Sequence, residues 1–162
     1  MDKTKILFIC LGNICRSPAA DAVMRKLVDE AGLADKFTID SAGIGAWHVG
    51  QLPDRRMRKH GANRGYKIDH IARQFDAATD FDKFDMIVVM DDDNYRNISR
   101  QAHNGKDMEK VVRMADYFGG NKRHDCVPDP YYGDDSAFDH AIDLIEDGCR
   151  GILATLSKQP RR

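Results

Sequence analysis

Between residues 5 and 18 the chain passes from an unbroken apolar run, through a short glycine-bearing turn, into a helix start. Lys5-Ile6-Leu7-Phe8-Ile9-Cys10 shows no polar alternation, the pattern of a strand buried on both faces. Ser17-Pro18 then offers an N-cap residue with proline at the first helical position. Val23, Leu27, Val28 and Ala31 continue along one helical face until Gly32 stops it. A strand covered on both sides, joined to a helix by a tight loop, is the opening unit expected of a parallel sheet with helices on both faces.

The rest of the chain repeats that alternation. A second strand is expected over 37–42, followed by a loop that carries Gly43, Gly45, Trp47 and Gly50. A helix is expected over 53–60 and a turn or short helix near 76–83. Met86-Ile87-Val88-Val89-Met90 is a second fully apolar strand. A helix over 92–102, a strand over 110–114 and a long final helix over 136–156 complete the pattern, and 158–162 reads as a frayed basic tail. Strands alternating with helices predict a single α/β domain over 1–162. Ligands of such sheets collect where loops leave the carboxyl ends of the strands.

Charge narrows the function. Lysine plus arginine (25) nearly cancels aspartate plus glutamate (26), so no general field exists for gripping nucleic acid or an anionic membrane. Neither is expected as a partner, and any affinity for phosphate must come from a local site. No apolar run approaches the roughly 20 residues that cross a bilayer, and the run 6–10 is too short for the core of a secretory signal. The expectation is a cytoplasmic protein whose four cysteines are thiols.

Cys10-Leu11-Gly12-Asn13-Ile14-Cys15-Arg16-Ser17 occupies the ligand edge after the first strand. Five residues between a cysteine and an arginine suffice to curl around a tetrahedral oxyanion. Backbone N–H groups from Leu11 through Ser17 can point inward, and the helix N-terminus adds partial positive charge. Arg16 offers a planar fork for two phosphate oxygens. The same surroundings favour a thiolate on Cys10, which makes it the candidate nucleophile. The Cys-x5-Arg spacing alone is unspecific; its conjunction with a buried strand, a glycine turn and a Ser-Pro helix start carries the reading. Ser17 either caps the helix or donates to the Cys10 sulfur. Cys15 is either a packing residue or a partner that captures oxidised Cys10 as a reversible disulfide.

Cleaving an aryl phosphate calls for a proton donor to the leaving oxygen. Asp129 is stiffened between Pro128 and Pro130 and is the candidate, with an ordinary turn aspartate as the alternative. Tyr131, Tyr132 and Trp47 lie on two ligand-edge loops, where they either wall a slot for a substrate ring or pack into the core.

Taken together, Cys10-Leu-Gly-Asn-Ile-Cys-Arg-Ser-Pro18 near one end and Asp129-Pro-Tyr-Tyr132 near the other resemble the low-molecular-weight protein tyrosine phosphatases over essentially the whole chain. The resemblance implies a four-stranded parallel sheet with the phosphate loop after the first strand. It also implies Cys10 as nucleophile, Arg16 as phosphate clamp and Asp129 as general acid, with no metal and no cofactor. Phosphotyrosine proteins or peptides and small aryl phosphates would be the substrates. Asn13, Ser17, Ser41 and His70 would form a network that shapes the loop, with Asp91 orienting His70. Trp47 and Tyr131 match pocket-wall positions, and Tyr132 shares that role or is itself a phosphorylation site.

Related protein arginine phosphatases tend to carry threonine where this chain has Ile14, and a bulkier apolar residue suits an aromatic phosphoester better. Related arsenate reductases need further cysteines after the third strand, whereas Cys126 and Cys149 lie far along the chain and read as structural. Two rivals come from other classes: a magnesium-dependent phosphatase built on Asp91-Asp92-Asp93, and a non-catalytic phosphotyrosine-binding module.

Overall fold

The computed structural model describes residues 3–157, so the expected frayed tail at 158–162 lies outside the described residues. Four parallel strands, β1 (Thr4–Cys10), β2 (Phe37–Gly43), β3 (Met86–Val89) and β4 (Val111–Arg113), form one sheet in the order β2-β1-β3-β4. β1 runs in register with β2 from Thr4 opposite Phe37 to Cys10 opposite Gly43, and with β3 from Ile6 opposite Met86 to Ile9 opposite Val89. The first strand is therefore central, which is why its apolar run is unbroken.

Alternate residues of β1 feed two separate cores. Ile6, Phe8 and Cys10 pack with α1 (Arg16–Glu30) and the long C-terminal helix α6 (Asp135–Ser157) through Ala20, Val23, Met24, Leu144 and Ile145. Leu7 and Ile9 face Phe75, Phe81, Phe84 and Ile98, contributed by the segment around α3 (Asp80–Lys83) and by α4 (Asp92–Gln101). Helices thus cover both faces, and the loops leaving β1, β2 and β3 converge at one edge.

Several boundaries differ from the sequence pattern for identifiable reasons. α1 begins at Arg16, not after Ser17; its N-cap is Cys15, which makes no side-chain capping bond. Ser17 is not a cap because its hydroxyl is engaged elsewhere, as described below. α2 (Arg55–Asn63) starts after Asp54, whose carboxylate accepts from the Arg56 and Met57 backbone N–H groups, so the helix is offset from 53–60. A helix absent from the sequence pattern, α5 (Gly105–Lys110), is capped by Asn104, whose side chain accepts from the Asp107 N–H, and precedes a β4 shortened to three residues.

α6 lies so close to the turn Met114–Tyr117 that only glycine fits at position 151. A Cβ there would stand 1.9 Å from the Tyr117 carbonyl oxygen, a backbone atom that cannot rotate away. Gly151→Ala should therefore destabilise the fold by about 1–3 kcal/mol. That corresponds to a fall in Tm of several degrees, on the order of 2–4 °C per kcal/mol for a chain this long. An unchanged thermal melt would mean that helix and turn separate freely.

Candidate active site

The loop after β1 closes on itself because Asn13 adopts the left-handed backbone region, φ 59°, which asparagine tolerates better than most residues. Its side chain is fully used. The amide donates to Ser17 Oγ (2.7 Å) and Ser41 Oγ (3.0 Å), and Oδ1 accepts from the Arg73 backbone N–H at 2.9 Å. Ser17 accepts from Asn13 and so keeps its own proton to give; its Oγ lies 3.0 Å from Cys10 Sγ, with the Ala42 carbonyl a longer alternative at 3.4 Å. Asn13, Ser17 and Ser41 are all fully buried.

The backbone fixes the loop from outside. Ile44 N–H donates to the Cys10 carbonyl and Gly45 N–H to that of Leu11, while Asp54 N–H donates to Ile14 O at 2.7 Å. Gly43, at the end of β2, lets the loop approach: a Cβ there would meet Asn13 N and Gly12 C at 2.9 Å. Loop and second strand are in backbone contact.

Arg16 is 2% exposed although it carries a full charge. Its Nη1 donates to Asp91 Oδ2 (2.7 Å) and to the Val127 carbonyl (2.9 Å), and its Nη2 stands 3.6 Å from Asp129 Oδ2. Burial works against that charge, but Cys10, the Asp91 hydrogen bond and Asp129 outweigh it and hold the guanidinium above its ordinary range. Asp91 also caps α4 by accepting from Asn94 N–H at 2.8 Å, so it is doubly anchored. Cys15 is different: burial, reinforced by Cys10, Asp54 and Asp129, pushes its thiol far above the usual range and keeps it protonated.

These residues border a cavity of about 300 Å³. Cys10, Arg16 and the loop residues Leu11, Gly12, Ile14 and Cys15 form its base. Asp129, Tyr131, Tyr132, Trp47 and His48 also line the cavity. Trp47 is 68% exposed and lies over Gly45, where a Cβ would collide with the ring. Tyr132 is 95% exposed and meets Tyr131 edge-on at 4.9 Å between ring centroids. Trp47 and Tyr132 are thus exposed rim residues, whereas Tyr131 is half-buried and packs in part against the core shared by α1 and α6. Asp129 Oδ1 accepts from Tyr131 N–H at 3.0 Å, which fixes the turn between the two prolines.

Two site expectations need correction. Asp91 does not orient His70; its carboxylate is turned to Arg16. His70 does not join the Asn13–Ser17–Ser41 network through its ring, because its Nδ1 faces Asp21 at 3.6 Å and Asp40 at 3.7 Å. Arg73, three residues on, takes that place through its backbone N–H. The acidic run after β3 does not converge either: Asp91 pairs with Arg16, Asp92 with Arg113 and Asp93 with Arg96.

Two further contributors, besides Arg73, carry no local sequence signal. His48 lines the cavity near Tyr131, with ring centroids 6.4 Å apart. Arg56 reaches from α2 to donate to the Tyr131 carbonyl (2.8 Å) and pairs with Asp54 at 3.1 Å, tying the Asp129 segment to α2. Arg56 lies 75 residues from Tyr131, and no local pattern links the two.

A parallel sheet whose first strand ends in a cysteine, with an arginine six residues on at the helix start and an aspartate across the cavity, defines the class of cysteine-based, metal-independent phosphatases. Residues 5–162 match the family model for low molecular weight phosphotyrosine protein phosphatase, and the chain belongs to that family. It is 49% identical to a putative low molecular weight protein-tyrosine-phosphatase of Synechocystis sp., over 96% of this chain and 98% of that one. It is 44% identical to the low molecular weight phosphotyrosine protein phosphatase of Schizosaccharomyces pombe, over 94% and 97%. Among solved structures, a protein tyrosine phosphatase from Entamoeba histolytica with Hepes in the active site superposes with a TM-score of 0.92 at 43% identity, covering 96% of this chain and 98% of that one. The Drosophila arginine phosphatase shares the fold with a TM-score of 0.89 at 31% identity, over 97% and 100%.

Proposed function

We propose that this chain, acting as one domain over 1–162, hydrolyses phosphotyrosine in proteins or peptides, and small aryl phosphates, through a phosphocysteine intermediate on Cys10. The observation that carries the reading is the placement of Cys10 Sγ beside the Ser17 hydroxyl at the base of a cavity walled by aromatic rings, with buried Arg16 alongside. Cys10 attacks phosphorus, and the P–O bond to the tyrosyl oxygen breaks. Asp129 gives its proton to that oxygen, so neutral phenol leaves. Water then attacks the phosphocysteine while Asp129 takes its proton, and Ser17 donates to the departing thiolate. Arg16 binds the equatorial oxygens with its planar fork, and the backbone N–H groups of the loop supply the remaining donors.

The aromatic lining argues for tyrosine: Trp47, Tyr131 and Tyr132 share the cavity with the loop and would flank a phenyl ring, while a phosphoserine side chain would stop short of the sulfur. Ile14, buried against the cavity, supports an aryl ester over phosphoarginine. Four free cysteines fit a reducing, cytoplasmic setting.

The direct test is phosphate release from a phosphotyrosine peptide in EDTA, set against matched phosphoserine and phosphoarginine peptides, with arsenate reduction as a further arm. Turnover of the first alone is expected; preference for phosphoarginine or arsenate would sink the assignment. A second test concerns the acid. Asp129→Asn should lower kcat on a phenyl phosphate about 10²–10⁴-fold, and much less on a nitrophenyl phosphate whose leaving group needs no proton. Equal losses on both would remove Asp129 from that role.

A further inference from the structure

We propose that Asp21 of α1, Asp40 of β2 and His70 together bind a divalent cation of the manganese–zinc class, at a site separate from the catalytic cavity. Asp21 Oδ2 stands 3.6 Å and Asp40 Oδ1 3.7 Å from His70 Nδ1, and the three atoms lie within 4.8 Å of one another. Both contacts are too long for hydrogen bonds. They fall at or just beyond the upper end of the roughly 3.3–3.6 Å that separates donors arranged tetrahedrally around one ion with bonds of about 2.0–2.2 Å.

The decisive atom is Asp21 Oδ2. The Asp21 side chain is 3% exposed, and this oxygen has no hydrogen-bond partner among the described residues. A buried carboxylate oxygen left without a donor is costly. Its other oxygen is held by Arg25. Likewise Arg73 holds Asp40 Oδ2 at 3.1 Å and leaves Oδ1 toward His70, where it accepts only the Ser41 N–H. The two arginines therefore do for the carboxylates what outer-shell partners do in metal centres: each fixes one oxygen and aims the other.

A cavity of about 220 Å³, lined by Pro18, Asp21, Arg25, Lys67, Asp69 and His70, gives an approach from outside. Arg25 pairs with Asp21 and Lys67 with Asp69, while Arg73 is shared between Asp40 and Asp80. Attraction must then come from coordination rather than net field, and an imidazole nitrogen with two carboxylates favours a transition-series ion over calcium or magnesium. Asp40 adjoins Ser41, and His70 lies three residues before Arg73, both of which grip Asn13. An ion here would brace the support of the phosphate loop without touching the reacting atoms.

The test is a Mn²⁺ titration of the full ¹⁵N-labelled chain, read as paramagnetic broadening of amide signals. Broadening should centre on Asp21, Asp40, Ser41 and His70, reverse on adding Zn²⁺, and weaken at least about tenfold in apparent affinity in Asp21→Asn and in His70→Ala. The amide spectrum shows whether each variant is folded, and either folded variant suffices. Broadening centred on residues 10–17 or on Asp92 and Asp93, no broadening, or undiminished binding in a folded variant would overturn the proposal.

Discussion

Cys10→Ser should lower phosphotyrosine hydrolysis by about 10⁴-fold or more while leaving the protein folded. The two side chains differ by one atom, so packing at the base of the cavity changes little. The chemistry changes completely. A thiol readily becomes an anion beside a helix N-terminus and a guanidinium; an alcohol does not. The hydrogen-bonding neighbour of Cys10 Sγ is the Ser17 hydroxyl at 3.0 Å, which can donate to a thiolate but cannot act as the base a serine nucleophile would need. Rapid acid quench of the unsubstituted enzyme should trap phosphate on Cys10 and none on the variant. Retention of activity within tenfold would discard the phosphocysteine mechanism.

Arg16→Lys should cost on the order of 10³-fold in kcat/KM, with part of the loss in kcat. Lysine keeps the charge but replaces a rigid fork by a single ammonium, so two phosphate oxygens can no longer be held in one plane. The geometry at this position magnifies the effect. Nη1 of Arg16 is committed to Asp91 and the Val127 carbonyl, which leaves Nη2 directed toward the cavity side near Asp129. A lysine satisfying Asp91 would withdraw its donor from the phosphate; one reaching the phosphate would leave Asp91 without its partner. Steady-state kinetics together with inorganic phosphate affinity separates these outcomes. A loss confined to KM would mean that Arg16 only binds the ground state.

The family fixes the expected chemistry, but the individual contacts explain why this chain can perform it. Asn13 is the centre: one side chain joins the loop, α1 through Ser17, β2 through Ser41 and the segment before α3 through the Arg73 N–H. The loop is thus braced from three neighbouring segments at once.

Sequence alone determined what depends on neighbours a few residues away. The unbroken run ending at Cys10 specified a strand covered on both faces, and the run at 86–90 specified a second. The turn residues between Cys10 and Pro18 specified a strand–loop–helix junction at the ligand edge, and Asp129 between two prolines specified a stiff turn. What sequence could not determine depends on residues brought together from afar. Ser17 has the residue type of a cap, yet Asn13 and Cys10 claim its hydroxyl and the helix begins before it. The family resemblance pairs His70 with Asp91, but Asp21 and Asp40 face it and Arg16 takes Asp91. Arg56, His48 and Arg73 entered the site without a local signal, because their roles arise from α2, the β2 loop and the approach to α3 folding against one edge. Local periodicity and turn chemistry are written in consecutive residues. The pairing of buried charges is decided only when packing excludes water and each carboxylate must take the nearest available donor.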